Sequence, residues 1–375
     1  MDVAAVGAPR PPSPSPTPSV GLSSLSLAYL ALDLTTPANY AHPTLPAYYD
    51  AQVQATDNTP AANPVTDRGA TLGRVLFNHK RLSVNGAVSC ASCHQQRIGF
   101  TDSVAFSAGF LGNTFTTAHA MRLGNNRYYA PGTMFWNKRA ASLEAQATVP
   151  IQNGVEMGFD PAHGGLALLT SSMNALPYYP ELFRFAYGDA TITEARIQNA
   201  LAQFERSMIT TGSRWDVGYA TVYNAQAPAK NLDVDLPNFT TAENRGRHLF
   251  LAGPAQGGIG CASCHPPPTF ALNANSLSNG LDAGEATIFK APSLKNDEHG
   301  PYMHDGRFAT LAQVIDHYDH GIQDGPALDQ RLRRNGAPIR LNLSANDKAA
   351  IAAFLSTLDD RSFFADSRFS NPFKK

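Results

Sequence analysis

Two short motifs in this chain share all five residues. Cys90-Ala-Ser-Cys93-His94 and Cys261-Ala-Ser-Cys264-His265 each place a histidine directly after the second of two closely spaced thiols. With this spacing the thiols can add to the two vinyl groups of a haem, and the histidine ring can ligate the iron. The motifs therefore predict two covalently bound haem c groups, held by the thiols of Cys90, Cys93, Cys261 and Cys264, with His94 and His265 as iron ligands.

Two cysteine pairs could instead hold a zinc ion. Zinc does not need a histidine at a fixed offset from each pair, and it does not explain a second likeness between the two regions. Gly73-Arg74-Val75-Leu76-Phe77 precedes the first motif, and Gly246-Arg247-His248-Leu249-Phe250 precedes the second. A repeated segment before each motif indicates two related haem domains.

The composition is that of a globular protein and excludes several classes. The 375 residues are 43% hydrophobic and 16% charged, which excludes a wholly disordered chain. Lys and Arg number 29 against 30 Asp and Glu, so the sequence gives no basic excess for nucleic acid or an anionic membrane. No apolar run approaches the ~20 residues of a membrane span, and none is predicted.

The first 66 residues are predicted to be an N-terminal extension. Residues 1–20 are rich in Pro and Ser and indicate an extended tether. The apolar stretch Leu22–Leu34 is expected to form a short helix packed on the body; the alternative is a segment wrapped across it. Met1-Asp2-Val3 does not resemble a signal peptide. Because haem c is attached outside the cytoplasm, we expect a periplasmic protein whose export signal has been removed, with lipid anchoring through the tether as a further option.

Helical periodicity dominates the remainder of the chain. Apolar residues recur at helical spacing in Thr193–Met208, Thr310–Tyr318 and Ala345–Leu358, whereas strand alternation is scarce. The sequence therefore predicts a mostly α protein with two cytochrome c-like haem domains, related by an internal repeat and joined by long loops. The expected division is an extension over 1–66, an N-terminal peroxidatic domain over 67–235 and a C-terminal electron-transfer domain over 236–375.

The ligand on the other face of each iron decides whether a haem reacts with peroxide or only carries electrons. Spacing alone does not choose this ligand, and several side chains stay open as alternatives. After the first motif the candidates are His119, Met121 and Met134. After the second motif they are Met303, His304, His317, Tyr318 and His320.

Several further segments resemble the bacterial dihaem cytochrome c peroxidase/MauG family. Phe135-Trp136-Asn137-Lys138-Arg139-Ala140 is one, followed by Ser142–Ala147 and by Val155-Glu156-Met157-Gly158. Phe289–Asn296 and Pro301–Phe308 follow in the same order as in that family. The resemblance covers about residues 70–360.

The resemblance implies a role for each of four residues around the first haem. Glu156 matches the distal carboxylate that moves a proton between the two peroxide oxygens. Gln146 matches an amide that hydrogen-bonds peroxide or water, and Pro150 matches a proline that shapes the pocket. Trp136 matches the tryptophan between the haems, where an indole can relay oxidising equivalents.

The chain also departs from the family pattern. Classical members close the first iron with a histidine on the loop that corresponds to Gln95–Phe135, and here that loop has only His119. Its position matches an asparagine of the family rather than the gating histidine, so we expect an open first haem, with His119 as an alternative ligand. Because that asparagine also serves the family's calcium site, calcium is in doubt, although carbonyls near His299 and Pro301 could still bind it.

Tyr318 stands where classical members carry the methionine ligand of the second haem, which resembles the tyrosine-ligated MauG branch. An anionic oxygen donor favours oxidised iron, whereas a thioether raises the potential. The resemblance thus implies an enzyme that reacts with hydrogen peroxide and forms a high-valent state shared by both haems. It would oxidise a partner protein or another electron donor, of unknown identity. The alternatives are a classical peroxidase supplied by a small cytochrome and a dihaem electron carrier without catalysis.

Overall fold

The computed structural model describes residues 22–374, so the predicted tether over 1–20 lies outside the described residues. Within that range the chain is mostly helical, as predicted, and its strands form one short antiparallel pair, β1 (Arg333–Arg334) and β2 (Ala337–Pro338). No helix among these residues is long and apolar enough to cross a membrane. The α-helices are α1 (Ser24–Leu27), α2 (Ala51–Gln54), α3 (Asp67–Asn78), α4 (Cys90–Cys93), α5 (Leu143–Ala147), α6 (Gly165–Asn174), α7 (Tyr178–Tyr187), α8 (Glu194–Arg206), α9 (Arg214–Val222), α10 (Thr241–Leu251), α11 (Leu311–Asp316) and α12 (Ala345–Ser356).

Short helical turns fill part of the long loops between these helices. One of them, His317–Gly321, continues α11 as a π-helix. The 3₁₀ turns are Lys80–Leu82, Gln96–Ile98, Asn126–Tyr128, Pro161–His163, Pro228–Asn231, Pro254–Gln256, Cys261–Ser263, Gln330–Leu332 and Phe363–Ala365.

Two pairs of helices cross at glycines of the repeated Gly-Arg-x-Leu-Phe segment. At Gly73 of α3, a Cβ would lie 2.0 Å from the carbonyl oxygen of Ala200 in α8. At Gly246 of α10, it would lie 1.9 Å from the carbonyl oxygen of Ala350 in α12. Both separations are far inside van der Waals contact, so each crossing requires a residue without a side chain. Gly73 and Gly246 therefore have the same structural role: each allows two helices to cross closely, one pair in each half of the chain.

Each helix pair is surrounded by its own apolar core. The first core is built on α3, α7 and α8, and the second on α9, α10 and α12. Trp215 is 1% exposed and packs against Phe270 in the second core. Its helix α9 thus packs with the second core although it precedes residue 236, where the C-terminal domain is predicted to begin.

The expectation of a helix over Leu22–Leu34 is wrong beyond its first turn. Only Ser24–Leu27 is helical; Leu30 then pairs with Phe373 in an antiparallel bridge. The amide of Ala31 donates to the carbonyl of Pro372 at 2.8 Å. A short isolated helix is marginal in water, and these bonds to the C-terminal segment stabilise an extended backbone instead. Beyond Leu27 the segment is wrapped across the body of the protein, which is the alternative to a packed helix that the sequence left open.

Candidate haem and peroxide site

The first CxxCH motif lines a cavity that is partly open to solvent. The ring nitrogen Nδ1 of His94 lies 2.9 Å from the carbonyl oxygen of Phe100, to which it can donate a hydrogen bond. This bond fixes the ring and leaves Nε2 as the nitrogen available to a metal. The cavity brings together all the residues predicted for the first haem and its pocket: Cys90, Cys93, His94, Trp136, Gln146, Pro150 and Glu156.

The second CxxCH motif lines another cavity, and its lining includes Cys261, Cys264, His265 and Tyr318. Burial lowers the pKa of His265 to about 4, so its imidazole is neutral and can ligate a metal. Tyr318 belongs to the π-helix His317–Gly321, a distortion that is frequent at functional sites. Burial raises the pKa of Tyr318, so the phenol keeps its proton unless a cation binds to the oxygen.

A wall of four side chains separates the two cavities and lines both of them: Trp136, Phe289, Lys290 and His304. The ring of His304 stacks on Phe289 with 3.9 Å between centroids, and the Trp136 ring stands 6.4 Å from His304. The amide of Lys290 donates to the carbonyl of Trp136 at 2.6 Å. Trp136 therefore lies between the two predicted haem sites, where its predicted relay role requires it.

The candidate iron ligands can be grouped by their side-chain contacts and by whether they line a cavity. The ring nitrogens of His119 lie 2.9 Å from the hydroxyl of Thr101 and 3.0 Å from the carbonyl of Val104. His317 contacts the carbonyl of Asn279 at 3.1 Å and does not line the second cavity. His320 is exposed and also lies outside that lining. His119 lines the first cavity, although both of its ring nitrogens have the contacts given above. The other candidates that line the cavities are Met121, Met134, Met303, His304 and Tyr318.

Glu156 has the electrostatics of a proton-transfer group. Burial raises the pKa of its carboxyl, and the positive charge of Arg139 acts in the opposite direction. Its backbone amide donates to the side chain of Asn153 at 3.2 Å, which fixes the turn that presents the carboxyl to the cavity. A raised pKa makes the carboxyl hold its proton more firmly than an exposed glutamate does, which is the direction that a proton-transfer group requires.

An ion pair holds α5, the helix that carries Gln146, in its place. Glu144 on α5 contacts the guanidinium of Arg206 on α8 at 2.5 Å, and Arg206 is 1% exposed. Burial by itself would raise the pKa of Glu144, but its hydrogen bonds to Arg206 and Asn63 lower it to about 2. Because the carboxylate stays ionised, the pair persists at neutral pH and keeps Gln146 at the cavity.

Two buried charged residues of the first cavity are absent from the predicted site. Glu205 lies near the end of α8, and Lys290 belongs to the wall between the cavities. No local sequence signal marked Glu205, because a glutamate near the end of an amphipathic helix ordinarily faces solvent. Lys290 stands within the segment Phe289–Asn296, which carried the family resemblance without a role for the lysine.

The region in which calcium was considered contains a fixed positive charge. The guanidinium of Arg122 forms an ion pair with Asp297 at 2.8 Å and donates to the carbonyl of Asn296 at 3.1 Å. It also donates to the carbonyl of His299, one of the groups considered for calcium. The positive charge of Arg122 therefore disfavours a calcium ion at this place, but whether calcium binds remains a prediction.

The residues of the two cavities fit haem c. Each cavity is lined by two cysteine thiols that form no disulfide and by a half-buried histidine with a nitrogen for the iron. At His265, Nδ1 has no hydrogen-bond partner among residues 22–374, so no such bond fixes this ring before a metal binds. Two such cavities, with one wall in common, are what a dihaem protein needs.

Comparisons with known proteins agree with this chemistry. The family described as di-haem cytochrome c peroxidase matches residues 67–221. The methylamine utilization protein MauG of Methylorubrum extorquens is 32% identical over 321 residues, which cover 80% of this chain and 80% of that protein. The cytochrome c551 peroxidase of Nitrosomonas europaea is 31% identical over 274 residues, covering 68% and 74% of the two chains.

A solved structure extends the likeness to the fold. A MauG-like protein associated with microbial copper homeostasis has a TM-score of 0.69 and 31% identity, covering 88% of this chain and 99% of that one. The sequence relatives and this structure agree with one another, and with the cavities, on a peroxidase-type oxidoreductase that uses two haems. The chain belongs to the dihaem cytochrome c peroxidase family that includes MauG.

Proposed function

We propose that this protein is a MauG-like oxidoreductase that takes oxidising equivalents from hydrogen peroxide and passes them to a partner protein or another electron donor. The observation that carries the proposal is that Glu156 and Gln146 line the first cavity while Tyr318 lines the second. A distal acid–base pair has no use in an electron carrier, so these two residues argue against a non-catalytic protein. Tyr318 beside His265 favours a second site that stabilises oxidised iron.

The proposed cofactors are two haem c groups, attached through the four cysteines of two related haem domains. The duplicated helix crossings at Gly73 and Gly246 support an internal repeat. Attachment of haem c takes place outside the cytoplasm, which supports a periplasmic location. When bound, the haems supply the redox-active irons.

The side chains around the first cavity perform the proton chemistry. Glu156 takes a proton from one peroxide oxygen and returns it to the other, which leaves as water. Gln146 donates a hydrogen bond that orients peroxide, and Pro150 fills the wall without competing for that bond. Trp136, between the cavities, relays oxidising equivalents toward the second site.

Met303 favours a second candidate function. Its sulfur lines the second cavity and lies 3.7 Å from the amide nitrogen of Asn279. If Met303 ligated the second iron, the thioether would raise the potential and suit a classical peroxidase that receives electrons from a small cytochrome.

Reaction of the resting, fully oxidised protein with one equivalent of peroxide tests the proposal. We expect a rapid change in the near-infrared and Mössbauer spectra without any prior reduction, because no described histidine side chain of the Gln95–Phe135 loop is free to close the first iron. A reaction that begins only after one haem has been reduced would assign the protein to the classical peroxidases. An intact mass with fewer than two haems would refute the covalent attachment.

A further inference from the structure

Glu205 is a buried acid without a partner. Its side chain is 7% exposed, lines the first cavity, and forms no hydrogen bond or salt bridge with any residue of the described range 22–374. Burying a carboxylate without a partner is costly, so its retention on an otherwise apolar face of α8 needs an explanation. Arg206, the next residue, is committed to Glu144 and does not neutralise it.

Lys290 brings the opposite charge to the same cavity. Its side chain is 1% exposed, and its ammonium donates to the amide oxygen of Asn126 at 2.9 Å and to the sulfur of Met121 at 3.2 Å. Neither of these partners carries a negative charge. Lys290 also lines the second cavity, so its charge acts on both sites.

The two charges influence one another without direct contact. Burial raises the pKa of Glu205 to about 7, while the positive charges of Arg206 and Lys290 oppose the rise and Glu144 adds to it. Burial lowers the pKa of Lys290 to about 8, and Glu205 opposes that change. Burial raises the pKa of the Cys90 thiol, and the charge of Glu205 adds to that rise. Both groups can thus exchange protons near neutral pH.

We propose that Glu205 holds an exchangeable proton that compensates the charge of oxidation in the first cavity, with Lys290 as the cation that connects this compensation to the second cavity. The inference rests on the proposed function. If a haem bound in the first cavity gave one electron to peroxide or to the second site, Glu205 would release one proton to solvent and become a carboxylate. When the electron returns, Glu205 takes up one proton, so charge and protons balance. Glu156 differs, because it moves a proton between two peroxide oxygens with no net release.

The reduction potential of the N-terminal haem, measured against pH in the holoprotein, tests this role. An ionised Glu205 stabilises the oxidised state, so we expect the potential to fall as the pH rises through about 7. In Glu205→Gln, which keeps the size of the side chain, this fall should be lost. Infrared difference spectra recorded on reduction should show a carboxyl band that is absent from Glu205→Gln and present in Glu156→Gln.

The Lys290→Met variant is a second test, and it predicts the direction in which the pKa of Glu205 changes. Without the ammonium the carboxylate of Glu205 is less stabilised, so its carboxyl band should persist to a higher pH than in the parent protein. Glu194→Gln is the matched control, because Glu194 lies on the same helix but outside both cavities. It should leave the potential and the infrared band unchanged.

The inference is overturned if Glu205→Gln retains the pH dependence of the parent, or if the infrared band survives in that variant. Failure of the proposed function has a different signature. A protein that ignores peroxide but loses the pH dependence and the band in Glu205→Gln would contradict the enzymatic proposal and uphold the proton-linked role of Glu205.

Discussion

The indole nitrogen of Trp136 donates a hydrogen bond to the main-chain carbonyl of His119 over 2.7 Å. The side chain of His119 is itself held at both ring nitrogens, by Thr101 and Val104. His119 therefore acts through its backbone as a support for the indole. A carbonyl accepts a hydrogen bond but is a very weak base, so in the proposed relay we expect Trp136 to keep its proton.

Replacement of Trp136 by Phe should shorten the life of the oxidised protein formed with peroxide. Phenylalanine approximately keeps the volume of the side chain but is much harder to oxidise than tryptophan. The oxidising equivalents should therefore stay at the first site and damage residues there. The decay of the near-infrared signal after one equivalent of peroxide measures the effect. Trp215→Phe is the control: Trp215 is buried in the second core, so this change should lower stability and leave the decay rate alone.

Glu156→Gln should slow the reaction with peroxide by a factor of ~10²–10⁴, because glutamine cannot transfer the proton. Stopped-flow absorbance at fixed peroxide concentration gives the rate. The haem content of the variant, measured after denaturation, should equal that of the parent. A variant that reacts at the parental rate would show that another group transfers the proton.

Tyr318→Met should raise the reduction potential of the second haem, since a thioether replaces an oxygen donor. Spectroelectrochemical titration resolves the two haems and measures the shift. The same titration of Tyr318→Phe separates ligation from packing. If neither variant changes the second potential, Tyr318 only packs in the cavity, and Met303 or His304 becomes the candidate ligand.

Gly73→Ala and Gly246→Ala should each destabilise the protein by about 1–3 kcal/mol or more, because the new methyl group meets a backbone carbonyl of the crossing helix. Gly246→Ala should disturb the spectrum of the C-terminal haem first, and Gly73→Ala that of the N-terminal haem. Thermal unfolding followed at both haems measures this. At Gly124 a methyl group meets neighbours no closer than 3.5 Å, so Gly124→Ala should change stability little.

Asp359→Asn should stabilise the protein at alkaline pH. Burial, followed by the nearby charges of Glu298 and Asp297, raises the pKa of Asp359 to about 7 from an ordinary value of 3.8. The unfolded chain therefore loses this proton first, and stability falls as the pH rises from about 4 to about 7. Asparagine has no proton to lose. Melting temperatures in EDTA should agree with the parent near pH 4 and exceed it above pH 7; equal values at both would contradict the assignment.

The chemistry was more accessible from the sequence than the architecture around it. Cys90 to His94 form a local motif, so their function can be inferred without a fold. The position of His317 outside the lining of the second cavity could be found only from the structure, because its contact with Asn279 joins residues far apart in the chain. Glu205 was missed for the same reason: only packing shows that its carboxyl faces a cavity rather than solvent.

The antiparallel bridge between Leu30 and Phe373 also could not be predicted from the local sequence pattern. Periodicity favoured a helix over Leu22–Leu34, yet the partner strand lies at the other end of the chain. Helical propensity describes only neighbours within a few residues, whereas this backbone is stabilised by bonds that span the whole sequence. Tertiary contacts, rather than local helical propensity, therefore determine the conformation of this segment.

The C-terminal segment also joins distant parts of the chain within one core. Phe369 is buried in the first core, and the carbonyl of Ser370 accepts a hydrogen bond from Arg74 of α3 at 2.7 Å. These two bonded residues are 296 positions apart in the sequence. Because the loop-closure entropy of such a contact must be overcome before the contact stabilises the fold, we expect the first core to be completed late in folding.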